Sequence, residues 1–242
     1  MMNTQNFKLS CITLITALAL IGCNDSDTST NDGVVMPAPP APAPVTYQYE
    51  VTVTNLTSGQ PVSPVAVLLH NEGDVWTIGE PASESLETLA EGGDNSSLIA
   101  ESFVSAGASG AAPIMPGQSE MISVSIEDNM PMKISVVTML VNTNDAFSGT
   151  NGTSIENLSV GESISLTTGS YDSGTEKNTE SAEHIPGPAG GGEGFNSMRD
   201  DVDFVAMHAG VVSSDDGLSS SALSADHRFD NPTLAIKIMR TE

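Results

Sequence analysis

The sequence predicts an all-β fold, specifically an antiparallel β-sandwich with long loops and one or two short helices. Short segments in which apolar and polar residues alternate recur along the chain, and this period of two is typical of half-buried strands. Nearly every gap between them contains Gly, Asn, Asp or Pro, which are the residues that favour turns. Short strands joined by polar loops, with little predicted helix, indicate two sheets packed face to face.

Seven segments carry a strand pattern. Residues 47–54 alternate tyrosine or valine with polar residues. Residues 132–141 are nearly continuous apolar sequence, as expected of a central strand that is covered on both faces. The predicted strands are residues 47–54, 62–70, 121–126, 132–141, 162–168, 202–209 and 233–239.

Two further segments predict short helices, at residues 81–90 and 96–103. The first of these ends just before Gly92-Gly93, a pair that favours helix termination. Asn151-Gly152 predicts a tight turn between strands.

The N-terminus predicts an exported, lipid-anchored protein. Lys8 precedes an apolar run at residues 12–21, which is long enough for a signal peptide and too short to span a bilayer. The run ends in Leu-Ile-Gly-Cys at Cys23. This ending resembles a bacterial lipoprotein signal, in which the cysteine is acylated and the chain is cut before it. Residues 1–22 are therefore expected to be a lipoprotein signal peptide, and the alternative is a conventional signal peptide with an incidental cysteine.

Residues 23–46 are expected to be a disordered, proline-rich tether. Its first part is polar, and residues 37–44 are rich in proline, so they should form an extended spacer. Asn24 follows the lipidated cysteine, where an aspartate would indicate inner-membrane retention in many Gram-negative bacteria. We therefore expect the bacterial cell envelope as the location, with the outer membrane or cell surface favoured.

The charge balance limits the partners. Acidic residues outnumber basic residues by 31 to 7, and the formal net charge is −24. Nucleic acid is excluded as a partner because its phosphates need Lys and Arg for neutralisation, and adsorption to anionic lipid heads is disfavoured for the same reason. An acidic surface suits divalent cations and basic partners, and bound cations would relieve the self-repulsion. The simplest alternative is that the acidity serves only solubility.

The motifs of common enzymes are absent. No serine lies in G-x-S-x-G and no cysteine follows Cys23, so the usual nucleophiles are missing. The sequence has no H-E-x-x-H and no cysteine pair for zinc, and the glycine-rich residues 187–194 do not match a phosphate-binding loop. The four histidines are scattered, at His70, His184, His208 and His227. We therefore expect a protein that is not an enzyme.

Two segments, read together, resemble a known family. The first is VTMLVNTNDAFSG at residues 137–149, and the second is SYDSGTE at residues 170–176. They resemble the spondin domain (the amino-terminal F-spondin module) and its bacterial lipoprotein relatives. There a strand leads into S-P-D-W-F-x-G and is followed later by an aromatic-D-A-G-T-D segment. Weaker similarities occur in the same order at residues 64–71, 208–210 and 231–238.

The resemblance implies that residues 47–242 form a C2-like β-sandwich that binds Ca²⁺ in its loops. By position it implies three oxygen ligands, Asp145, Asp172 and Glu176, with Glu176 in the place of the last aspartate of the family motif. Calcium is bound by six to eight oxygens in flexible geometry, which loops rich in Asp, Asn, Ser and Gly supply. The proline and tryptophan of the first family motif are replaced here, which predicts a looser loop.

The expected function is that of a membrane-anchored, extracytoplasmic calcium-binding module in surface adhesion or matrix interaction. Its expected partners are the membrane, through the N-terminal lipid, and an unknown surface or matrix protein or glycan. Glycosaminoglycan binding is not expected, because the chain has only 7 Lys and Arg. The alternative is a carboxylate- or metal-assisted hydrolase that acts on surface polymers. That chemistry would need a carboxylate whose pKa is raised in an apolar pocket.

Overall fold

The computed structural model describes residues 41–242, which include a compact unit at Ala43–Glu242. The predicted signal peptide, Cys23 and most of the predicted tether lie outside the described residues. Within residues 41–242 there are ten strands, β1 Thr46–Asn55, β2 Ala66–His70, β3 Val104–Ser109, β4 Ser119–Glu127, β5 Lys133–Met139, β6 Ala146–Ser154, β7 Ser163–Thr168, β8 Ser170–Asp172, β9 Ala206–Met207 and β10 Leu234–Arg240. The helices are α1 Glu84–Gly92 and α2 Ser96–Ile99, with 3-10 turns at Ala182–His184 and Ala225–His227.

The strands form two antiparallel sheets. The four-stranded sheet has the order β4-β1-β10-β7, and the six-stranded sheet has the order β3-β2-β5-β6-β8-β9. All strand pairs are antiparallel. The predicted all-β antiparallel sandwich with two short helices is therefore confirmed.

The main core lies between the two sheets. In β1 every second residue is buried, as the alternating sequence predicts. Val51 faces Ile122 of β4 on one side and Ile238 of β10 on the other, and all three side chains belong to one buried cluster with residues of β2 and β5. Burial of this apolar surface contributes about 25 cal/mol per Å² and is the main stabilising force of the sandwich.

A second core covers the outer face of the six-stranded sheet. Leu86 and Leu89 of α1 share a buried cluster with Leu68 of β2 and Phe147 of β6. Every residue of β2 and nearly every residue of β5 is buried. This second layer explains why these two strands read as continuous apolar sequence, because both of their faces are covered.

The helix α1 begins and ends at recognisable signals. The Ser83 hydroxyl accepts a hydrogen bond from the Leu86 N–H at 3.2 Å, and Gly93 ends the helix in the left-handed conformation at φ +70°. The predicted helix at 96–103 is wrong in its second half. Only α2 forms there, and β3, which the sequence analysis missed, begins soon afterwards.

The prediction of a turn at Asn151-Gly152 is wrong, because β6 continues through both residues. Ile134 pairs with Thr153 and Val136 with Thr150, so these two residues lie opposite a single residue of β5, as in a β-bulge. Gly152 adopts φ +62°, which glycine tolerates at no steric cost. The same local chemistry that favours a turn here bends a strand instead.

The predicted strand at 202–209 is also largely wrong, since only β9 forms within it. The remainder is loop. Neither helix in residues 41–242 has the length and apolarity needed to cross a lipid bilayer.

The bulge positions Asn151 to hold the loop that precedes α1. Its amide oxygen accepts from the Val75 N–H at 2.9 Å, and its amide nitrogen donates to the Trp76 carbonyl at 2.6 Å. We expect Asn151→Ala to lower the free energy of unfolding by about 1–3 kcal/mol, because two partly buried backbone groups lose their partner.

Urea unfolding would measure the effect of Asn151→Ala. Asn157→Ala serves as the control, because Asn157 is an exposed turn residue. Equal stability of the two variants would contradict the role of Asn151.

Candidate functional site

The candidate site lies where β6 begins and β8 ends. Asp145 directly precedes β6, and the pairing of Ala146 with Asp172 places the two aspartates on neighbouring strands. The chain then turns back, and the Ser173 N–H donates to the Asp145 carbonyl at 3.2 Å. Sheet pairing therefore brings together two acidic residues that are separated by 26 residues of sequence.

The Asp145 carboxylate organises the loop that follows β8. Its side chain is fully buried. Oδ2 accepts hydrogen bonds from the Ser173 hydroxyl at 2.9 Å and from the backbone N–H groups of Thr175 and Glu176 at 3.0 and 3.1 Å. Oδ1 accepts one from the Asn144 amide at 3.0 Å. The loop 173–176 is thus wrapped around this carboxylate.

Asp172 anchors the outer side of the same loop. Its Oδ1 accepts from the Gly174 N–H at 2.8 Å, and its Oδ2 accepts from the Asn178 amide at 2.5 Å. The Asn178 amide oxygen contacts Nε2 of His208 at 3.2 Å. The Gly210 N–H donates to His208 Nδ1 at 2.9 Å, so Nε2 carries the ring proton and donates it to Asn178. Burial lowers the pKa of His208, which keeps the ring neutral.

Burial and crowding raise the pKa of two carboxyl groups in the site. For Asp145, burial is the largest cause and the charge of Asp172 the next, and together they raise its pKa to about 7 against the opposing hydrogen bonds. For Glu176, burial comes first, followed by the charges of Glu91 and Asp145, and its pKa rises to about 8. The ionised form of each of these groups is therefore disfavoured unless a cation neutralises it.

Helix α1 contributes two buried glutamates that the sequence analysis missed as site residues. Glu87 pairs with Arg199 at 2.5 Å. Glu91 is 1% exposed, and its Oε2 accepts from the Asn196 N–H at 2.8 Å, whereas its Oε1 is buried with no partner. Burial raises the pKa of Glu91. Their i, i+4 spacing beside the apolar face of the helix was the signal that could have found them.

A surface pocket of about 110 Å³ borders Glu176. His184 lies at its edge, with Nδ1 at 3.9 Å from Glu176 Oε1 and 3.3 Å from Glu193 Oε1. Within residues 41–242, these three are the one set of His, Cys, Asp or Glu residues whose ligand atoms all lie within 4.8 Å of one another. Of the three residues expected to bind calcium, only Glu176 belongs to this group.

Asp145, Asp172 and Glu176 can bind a calcium ion only if their carboxylates have lone pairs that no hydrogen bond already uses. A carboxylate offers about four lone-pair sites. Oδ2 of Asp145 already accepts from several donors, but Oδ1 accepts one bond, as does each oxygen of Asp172. The Glu176 carboxylate accepts no hydrogen bond from any group in residues 41–242, and its Oε1 lies 3.9 Å from His184 Nδ1. Oxygen acceptors for a hard cation are therefore available on all three side chains, and their joint ligation of calcium stays a prediction.

No protein-family model and no curated protein matches this chain. The resemblance to the spondin domain family is therefore a hypothesis that rests on the motifs alone.

Proposed function

We propose that this protein is a non-catalytic, extracytoplasmic calcium-binding module that is anchored to a membrane through lipid on Cys23. Its proposed setting is the bacterial envelope, at the outer membrane or cell surface, in adhesion or matrix interaction. One observation carries the calcium assignment. Asp145, Asp172 and Glu176 are buried, at 0%, 8% and 5% exposure, and no Lys or Arg in residues 41–242 forms an ion pair with any of them.

Buried negative charge needs compensation. A carboxylate removed from water pays a large solvation cost unless it gains a proton, a cationic side chain or a metal ion. No cationic side chain pairs with Asp145 or Asp172 in the described part of the chain. A calcium ion that joins the loop before β6 to the loop after β8 would neutralise this charge and order both loops.

Calcium is expected to stabilise the protein against heat. At about 100 times the dissociation constant, a ligand that binds only the native state adds about 2.7 kcal/mol. For a chain of this size that corresponds to a rise of about 5–10 °C in Tm. The measurement is thermal unfolding of the purified chain in Ca²⁺, in EGTA and in Mg²⁺. Equal Tm values in all three would remove the calcium assignment and leave the fold as it is.

Charge-neutral variants test which residues bind the proposed calcium ion. We expect Asp145→Asn and Asp172→Asn to weaken Ca²⁺ binding about tenfold or more in calorimetry, because each removes one charged ligand oxygen from the loop site. Asp226→Asn is the matched control, since Asp226 is exposed on a 3-10 turn outside the two loops of the site. Wild-type affinity in both site variants would show that the ion, if bound, lies elsewhere.

One observation favours the alternative of a hydrolase. Glu176 combines a pKa raised to about 8 with a place at the edge of a pocket beside His184, as a general acid requires. The pocket is small and its other lining residues include Lys177 and Asp200. Trp76 is buried against Phe147 and Tyr171 in the second core, so it is not available to stack on a sugar. Release of soluble fragments from a labelled envelope polysaccharide by wild type, but not by Glu176→Gln, would favour the hydrolase.

A further inference from the structure

We propose that Glu176, His184 and Glu193 bind a divalent transition-metal ion of the Zn²⁺ class, at a site separate from the proposed calcium ion. This inference does not rest on the calcium proposal, although the two sites share Glu176. A carboxylate with two oxygens can serve both ions, one on each side.

The spacing between His184 and each of the two glutamates fits a small tetrahedral metal ion. Metal–ligand bonds of about 2.0–2.2 Å at a tetrahedral angle place neighbouring ligand atoms about 3.4 Å apart. His184 Nδ1 lies 3.3 Å from Glu193 Oε1 and 3.9 Å from Glu176 Oε1. A shift of about half an ångström would bring the His184–Glu176 distance to this value, and the ligand atoms of all three residues lie within 4.8 Å of one another. Water would supply the fourth ligand, as in open zinc sites.

The loop is folded so that His184 and Glu193 meet. The Glu193 N–H donates to the Glu183 carbonyl at 2.8 Å, and the Gly192 N–H donates to the Ile185 carbonyl at 2.8 Å. A Cβ at Gly192 would lie 2.3 Å from two backbone carbonyl oxygens, so only glycine permits this close approach. The backbone, rather than the side chains alone, sets the two ligands side by side.

The buried carboxylate of Glu91, which is linked to the pocket through Asn196, favours a cation nearby. Glu91 is 1% exposed and its Oε1 has no hydrogen-bond partner. Its charge is the strongest of the neighbouring charges that act on Glu176. Asn196, whose N–H donates to the other oxygen of Glu91, also lines the pocket and donates to Glu193 Oε1 at 3.4 Å. A metal ion held by Glu176 would reduce the repulsion between the Glu91 and Glu176 carboxylates.

The ligand set selects the class of ion. Imidazole suits Zn²⁺, Cu²⁺ and Ni²⁺, whereas Ca²⁺ and Mg²⁺ are bound by oxygen alone. A site with one imidazole and two carboxylates should therefore prefer Zn²⁺ to Ca²⁺. The competing interpretation is an ion pair, in which a protonated His184 contacts both glutamates without any metal.

Calorimetric titration of the purified, chelator-stripped full chain with ZnCl₂ tests the site. We expect one Zn²⁺ per chain in wild type and at least about tenfold weaker binding in His184→Ala and in Glu193→Gln, since even outer-shell partners contribute about 10- to 100-fold. The matched control is His227→Ala, because both histidines are the last residues of 3-10 turns. Both ligand side chains are substantially exposed, so neither substitution removes part of the core.

The outcomes separate this site from the calcium site. His184→Ala should weaken Zn²⁺ binding at least about tenfold and keep the rise in Tm with Ca²⁺. Asp145→Asn should weaken the calcium effect and keep Zn²⁺ binding. Loss of the calcium effect in wild type, with Zn²⁺ binding retained, would contradict only the proposed function. Zn²⁺ affinity that is unchanged in His184→Ala, or absent in wild type, would overturn the site and leave the ion pair.

Discussion

Asp145→Ala is expected to lower the free energy of unfolding by about 2–5 kcal/mol in metal-free solution. The substitution leaves the buried N–H groups of Thr175 and Glu176 without acceptors, and each buried, unsatisfied donor costs about 1–3 kcal/mol. Relief of the repulsion between Asp145 and Asp172 offsets part of this loss. Urea unfolding in EGTA would measure the net effect.

Two comparisons separate hydrogen bonding from charge. Asp145→Asn keeps an oxygen that can accept from the loop N–H groups, so it should be less destabilising than Asp145→Ala. Asp226→Ala, on an exposed turn, should change stability by less than about 0.5 kcal/mol. A stability loss in Asp145→Ala no larger than that of Asp226→Ala would mean that the loop does not depend on this carboxylate.

The metal-free protein is expected to lose stability as pH rises from 6.5 to 8. The pKa values of Asp145 and Glu176 are about 7 and about 8 in the folded chain and return to ordinary carboxyl values on unfolding. At a pH between the ordinary carboxyl pKa and the raised pKa of the folded chain, the native state holds more protons than the unfolded state. Raising the pH in that range therefore favours unfolding. The loss should be of the order of 2 kcal/mol over this interval, or about 5 °C in Tm.

A loss of stability with rising pH is the opposite of what an ordinary ion-paired carboxylate produces. It therefore distinguishes buried carboxyl groups with a raised pKa from ion-paired ones. Burial lowers the pKa of His70 and His208, and deprotonation of their unfolded forms raises stability by at most about 0.4 kcal/mol each between pH 6.5 and 8. A net loss of stability between pH 6.5 and 8 therefore comes from the carboxyl groups. Glu176→Gln should flatten the dependence, and saturating Ca²⁺ should flatten it in wild type. A Tm that rises across this interval in EGTA would show that the two carboxyl groups are already ionised at pH 6.5.

Local physics explains which parts of the fold were predictable. The alternation in residues 47–54 and the apolar run in 132–141 have direct counterparts in β1 and β5, because strand periodicity and burial are recorded in the sequence. The Asn151-Gly152 pair shows the limit. The pair has the backbone preference that the sequence predicts, but pairing with β5 makes the chain form a bulge rather than a turn.

The candidate site was predictable only in part, for the same reason. Asp145, Asp172 and Glu176 follow from a motif, and the pairing of β6 with β8 places the first two at the ends of neighbouring strands. That the three bind calcium together stays a prediction. Nothing in the local sequence places Glu91 behind Glu176, or His184 beside Glu193, because those contacts join segments that meet only through the packing of α1 and the closure of a glycine-rich loop.

The sequence by itself determined the all-β class, six of the ten strands, the acidic charge and the expectation of a lipid-anchored envelope protein, since each follows from composition or short-range order. Only the tertiary structure decided which carboxylates are buried, which of them share a hydrogen-bond network, and which lie close to a histidine. Those properties depend on distances between residues far apart in the chain, and burial changes the cost of each charge.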